Sequence, residues 1–196
     1  MNNSDTVKNI IIIGASTGGT RVLSNFFSEL PVLNAAIIIV QHIPAFHCGL
    51  FAESLDRLSP MKVVLADNRT TLENHTVYCA PSDTHLILID NSRIKLIDGE
   101  KVNFCKPSID VTMKSLNQNQ CGRIVGVLLT GMGKDGSDGI SHIKAIGGFT
   151  IAQDKDSCVI YGMPKAAIET GKVDYILHQD NIPRKLIALV GKKLGN

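Results

Sequence analysis

The stretch IIIGASTGG, residues 11–19, decides how this sequence folds. Four isoleucines in a row, Ile10 to Ile13, stop at Gly14, and Ser16, Thr17, Gly18 and Gly19 follow at once. An unbroken β-branched run has no polar face to offer water, so it predicts a strand buried on both sides, as in parallel sheets. A glycine-rich turn at the end of such a strand suits two chemistries. Its backbone N–H groups can cradle a phosphate, or it can hold a serine oxygen over the sheet edge as a nucleophile.

Two further runs, Ile37–Val40 and Ile124–Leu129, have the same unbroken apolar character. Helical spacing lies between them. Val22, Phe26 and Leu30 recur at every fourth residue up to Pro31, and Phe51, Leu55 and Leu58 lead to Ser59-Pro60. Ile109, Met113 and Leu116 follow Pro107, which suits a first helical turn, and Ile140 and Ile143 precede the stop signal Gly147-Gly148. This alternation predicts an α/β fold with a mostly parallel sheet. The stretch TVYCAPSDTHLILIDNSRIKLI, broken by Pro-Ser-Asp and Asp-Asn-Ser, predicts an antiparallel β-hairpin at one sheet edge, with its tip at Asp90-Asn91-Ser92.

The 196 residues fit one domain, with no repeat, linker or low-complexity segment. A composition of 44% hydrophobic and 19% charged residues describes a globular chain. A net charge of +2, with scattered cations, gives no reason to expect nucleic acid as a partner; Lys192-Lys193 reads as a solvated helix end. The opening MNNSDTVK lacks a signal-peptide pattern, and apolar runs of about six residues are too short for membrane insertion. Five separated cysteines (Cys48, Cys79, Cys105, Cys121, Cys158) form no C-x-x-C pair, which argues against a disulfide framework or zinc ribbon. A cytoplasmic location is expected.

In open parallel sheets the active crevice lies beyond the carboxyl ends of the strands. The residues after the three runs are GASTGG, QHIP and TGMGKDG, which bring Ser16, His42 and Asp135 to one edge. Hydroxyl, imidazole and carboxylate are the set of a nucleophilic hydrolase. Ser16 sits in G-x-S-x-G; His42 is suited to take its proton, and Asp135 to fix the imidazole tautomer. The Thr17 N–H is placed to face an oxyanion. The chain order Ser, His, Asp differs from that of the α/β-hydrolases.

Other readings remain open on these residues. Ser16 also fits a helix N-cap, His42 a strand-end histidine bonded to backbone, and Asp135 a turn former. Gly131, Gly133 and Gly136 match a dinucleotide fingerprint. Only 60 residues follow Gly136, however, and the Asp135 carboxylate would oppose a pyrophosphate. The remaining histidines show no metal-ligand spacing.

At IGASTGG, VQHIP, VYCAPSDTHL, KPSIDVTMKSL, GVLLTGMGKDG and GGFTIAQDKDSCVIYGMPKAAIETGKVD, the sequence resembles the catalytic domain of the CheB family of chemotaxis protein-glutamate methylesterases. The likeness runs over residues 9 to 178 in order. It implies a doubly wound sheet and a single catalytic domain over residues 1–196, with a core at about 8–178 and no receiver domain in the chain. It also implies hydrolysis of glutamyl methyl esters on chemoreceptor cytoplasmic helices with release of methanol, and deamidation of receptor glutamines. Carried over, Ser16 is the nucleophile, His42 the base and Asp135 its orienting acid, with Thr17 and Met132 lining the oxyanion site. No cofactor or metal is implied; a response-regulator receiver domain is a second implied partner. The chain departs from the usual pattern at Thr20, Ile43, Cys105 and Lys106. A lysine does not replace an arginine at a bidentate contact.

Overall fold

The computed structural model describes residues 7, 9–118 and 122–193; Cys121 lies outside them. The Ile10–Ile13 run is the middle of β1 (Asn9–Ala15), and each of the four isoleucines is fully buried. The other strands of the main sheet are β2 (Ala36–Gln41), β3 (Lys62–Leu65), β4 (Thr76–Cys79), β7 (Arg123–Leu128), β8 (Phe149–Gln153) and β9 (Tyr175–Leu177). They lie in the order β3-β4-β2-β1-β7-β8-β9, and every pairing described is parallel. The chain builds outward from β1 on one side, then returns to its other side with β7. The β1/β7 boundary is therefore the topological switch point, where parallel sheets open a crevice.

Both faces of the sheet are covered, which is why its strands are apolar throughout. On one face Ile11, Ile13, Ile37 and Ile39 pack against α1 (Gly19–Glu29), α2 (Cys48–Leu58) and α6 (Ile182–Val190). On the other, Ile10, Ile12, Ile38 and Val40 meet α3 (Ile109–Lys114), α4 (Ser137–Ala145) and α5 (Met163–Glu169). The fold is thus α/β and doubly wound, as expected.

The hairpin forms from β5 (His85–Ile89) and β6 (Arg93–Ile97). Asp90 and Asn91 turn it with φ of 51° and 52°, the left-handed values a tight hairpin needs. It is a separate two-stranded sheet that lays Leu86, Leu88 and Ile94 on the second core, not an extension of the main sheet's edge. The preceding TVYC run joins the main sheet as β4, and β3 takes the edge. Pro107 also sits one step earlier than its helical reading: Ser108 caps α3, and Pro107 precedes the cap.

Candidate active site

Ser16, His42 and Asp135 come together because they leave neighbouring strands. Ala15 pairs with Gln41 at the ends of β1 and β2, so Ser16 and His42 emerge side by side. The Ser16 N–H bonds to the Thr130 carbonyl at 3.0 Å, and the His42 N–H to the Ala15 carbonyl at 3.0 Å. These bonds tie the three loops to one another. Gln41 adds a bridge from below, its Nε2 donating to the carbonyls of Ser16 (2.9 Å) and His42 (3.1 Å).

The loop after β7 closes tightly over the serine. A Cβ on Gly131 would lie 2.7 Å from Ser16 Cβ and 2.4 Å from Met163 Sδ, so only glycine fits. Gly136, at φ 95°, is the left-handed N-cap of α4. These glycines therefore serve packing against Ser16 and the start of a helix. Ser16 is not the N-cap of α1; Gly18 holds that place at φ 83°, with no side-chain cap. Among the described residues Ser16 Oγ makes no hydrogen bond, and the side chain is half-buried.

His42 is bonded by its ring. Its Nε2 lies 2.9 Å from Asp135 Oδ2, and its Nδ1 lies 3.6 Å from Cys105 Sγ. With Nε2–H donated to Asp135, Nδ1 is the nitrogen left to accept a proton.

Asp135 does sit in the turn that leads into α4, but its carboxyl has a further role: it is 2% exposed and surrounded by donors. Besides His42 it accepts from Ser108 Oγ (2.7 Å), the Ile109 N–H (2.8 Å), the Asp110 N–H (3.3 Å) and Asn103 Nδ2 (3.3 Å). Two of these donors are the first N–H groups of α3, which otherwise lack partners. Burial would raise the Asp135 pKa, but bonds from His42, Ser108 and Ile109 outweigh it and hold the carboxyl below its ordinary range. Burial would lower the His42 pKa, yet the bond to Asp135 and the contact with Cys105 win and raise it to about 9.

Thr17, next to Ser16 in the chain, and Met132, next to the Gly131 that packs on Ser16, both lie at the surface; Met132 is 77% exposed. Neither backbone N–H has a protein acceptor among the described residues. Two free donors flanking a serine can take a developing oxyanion.

The model of the CheB methylesterase family matches residues 11–186. The chain belongs to the CheB methylesterase family. It is similar to the solved CheB methylesterase catalytic domain of Thermotoga maritima, with a TM-score of 0.88 and 38% identity. That match covers 93% of this chain and 99% of the Thermotoga one. It is 42% identical over 186 residues to a protein of Hydrogenovibrio crunogenus named protein-glutamate methylesterase/protein-glutamine glutaminase. That alignment covers 93% of this chain and 50% of the relative. A protein of Archaeoglobus fulgidus with the same name is 39% identical over 189 residues, 94% of this chain and 54% of its own length. The chain thus spans about half the length of the curated relatives it matches. No described helix of this CheB-family domain is long and apolar enough to cross a membrane.

Several neighbours of the site escape a reading by motif. Ser108, Asn103 and Asp110 act on Asp135 from a segment 25 to 32 residues away in sequence. Ser108 and Asp110 belong to the block KPSIDVTMKSL, whose family likeness says nothing of this role, and Asn103 lies outside it, with no signal of its own. Gln41, beside the more conspicuous His42, carries no sequence signal of its bridging role.

Proposed function

We propose that this chain is a serine hydrolase that removes methyl esters from glutamyl residues of chemoreceptors. Ser16 is the nucleophile, His42 the general base and Asp135 the group that fixes its tautomer. The observation that carries this reading is the 2.9 Å bond from His42 Nε2 to a buried, fully bonded Asp135, beside Ser16 at the switch point of the sheet. Ser16 Oγ attacks the ester carbonyl while His42 Nδ1 takes its proton. The N–H groups of Thr17 and Met132 hold the tetrahedral oxyanion. His42 then returns the proton to the departing methoxide, giving methanol and an acyl-serine. Water, deprotonated by His42, releases the glutamate and restores Ser16.

The same cycle with ammonia as leaving group hydrolyses a glutamine amide, so we propose the glutaminase activity that the relatives' names carry as a second reaction of this site. Exposed Met132 and Phe104 (95% exposed) border the site, with a cleft of about 290 Å³ beside His42. An open cleft with a mixed rim, Pro44 and Phe104 beside Asp83, Lys101 and Lys106, suits a protein helix more than a small molecule. Chemoreceptor cytoplasmic helices are the partner, in the cytoplasm, and a response-regulator receiver domain is the regulator. Lys106, in the place where arginine is usual, lines this cleft and pairs with the exposed Asp98 at 2.7 Å.

The test is methanol release from a methylated chemoreceptor cytoplasmic fragment, with and without Ser16→Ala. Turnover by the parent and a loss of about 10⁴-fold or more in the variant support the mechanism. Equal release from both removes Ser16 from the role of nucleophile. A protein that binds the fragment without any turnover is a scaffold.

A further inference from the structure

Cys105 has no part in the hydrolytic cycle, yet its sulfur faces the one nitrogen of His42 that the cycle needs. The Nδ1–Sγ separation is 3.6 Å. A tetrahedral zinc ion, with bonds of about 2.3 Å to sulfur and about 2.0–2.1 Å to nitrogen, sets two such ligand atoms about 3.6 Å apart. A ring nitrogen of His42, Cys105 Sγ and a carboxylate oxygen of Asp135 lie within 4.8 Å of one another. Asp135 itself is occupied, because its oxygens already accept from His42, Ser108, Ile109, Asp110 and Asn103. It stands behind His42 as the orienting carboxylate that a metal-bound imidazole usually has on its far nitrogen.

We propose that His42 Nδ1 and Cys105 Sγ form a binding site for a thiophilic divalent cation such as Zn²⁺, and that the bound ion inhibits the enzyme. Binding sends two protons to solvent, the thiol proton of Cys105 and the Nδ1 proton that His42 carries at neutral pH; waters complete the tetrahedron from the open cleft of about 290 Å³ that His42 and Cys105 line. No electron is transferred. The ion takes the Nδ1 lone pair that must accept the Ser16 proton, so metal and chemistry are mutually exclusive. The inhibitory half rests on the esterase reading; the site itself does not. Neither motif nor spacing announces it, since the two ligands are 63 residues apart and meet only through the fold.

The test begins with Co²⁺ titrated into the whole chain as a spectroscopic substitute for Zn²⁺. A thiolate-to-cobalt charge-transfer band in the near ultraviolet, saturating near one equivalent and displaced by Zn²⁺, is expected. Cys105→Ala and Cys105→Ser should abolish the band. Asp135→Asn should weaken the affinity by about 10- to 100-fold, as loss of the group behind a ligating histidine does. Zn²⁺ should then slow methanol release by the parent at least tenfold more than by Cys105→Ala, each scaled to its own metal-free rate, and a chelator should reverse it. Absence of the band, or its persistence in Cys105→Ala, overturns the site. A Cys105-dependent band with methanol release indifferent to Zn²⁺ overturns the inhibition alone. If the metal-free parent releases no methanol, the esterase reading fails and the band still decides the site.

Discussion

In the proposed mechanism His42 must be neutral to accept the proton of Ser16, while its surroundings favour the imidazolium. With its pKa raised to about 9, most of the free protein at neutral pH carries the imidazolium, which the proposed mechanism does not use. We therefore expect kcat/KM to rise about tenfold per pH unit from near neutrality and to level off near pH 9. A profile flat between pH 7 and 9 would contradict that environment. Asp135→Asn replaces a carboxylate by an amide of the same shape, so it tests charge and tautomer together. We expect kcat to drop by about 10⁴-fold with little change in KM, read from steady-state kinetics.

At the scale of elements, the short helix α3 matters through its first turn. Ser108 Oγ accepts from the Val111 N–H as a cap and donates to Asp135 Oδ1 at 2.7 Å. Ser108→Ala loses both roles at a buried position, and should cost about 1–3 kcal/mol in urea unfolding. It should also lower kcat, because one of the bonds that holds Asp135 against His42 is gone. The loop after β7 is equally constrained. Gly131→Ala drives a methyl against Ser16 Cβ and Met163 Sδ, so we expect a folded protein with kcat reduced by about 10²-fold or more, as a displaced reacting group gives.

At the scale of the molecule, two cores share one central strand, and β1 faces both. Ile12→Ala opens a cavity in the layer under α3 and α4, and should cost about 2–5 kcal/mol, measured by the shift in the denaturant midpoint. The site also leaves its mark on stability against pH. The Asp135 carboxyl is held below its unfolded value of about 3.9, so its contribution is present above that pH and is lost as the pH falls through the folded pKa. His42 acts with the opposite sign. Its contribution is complete below about 6.5 and is lost as the pH rises through about 9. Thermal scans of the parent and of Ser16→Ala, which keeps both groups, should share this acid and alkaline decline; a curve flat from pH 6 to 10 would argue against the His42–Asp135 bond as a stabilising pair.

What the sequence determined by itself was the frame of the active edge. Unbroken apolar runs betray strands buried on both faces, because such residues have no other stable place, and the turns after them follow directly in the chain. That Ser16, His42 and Asp135 meet at one edge was legible for that reason, as were α1, α2 and α4 with their proline and glycine stops. Tertiary structure alone decided where the hairpin lies, since its alternating strands pair as well with each other as with an edge. Only the fold could show that Ser108, Asn103 and the start of α3 surround Asp135, or that Cys105 meets His42. Hydrogen bonds and close contacts between residues distant in the chain have no periodicity to betray them; they exist only once the layers have packed.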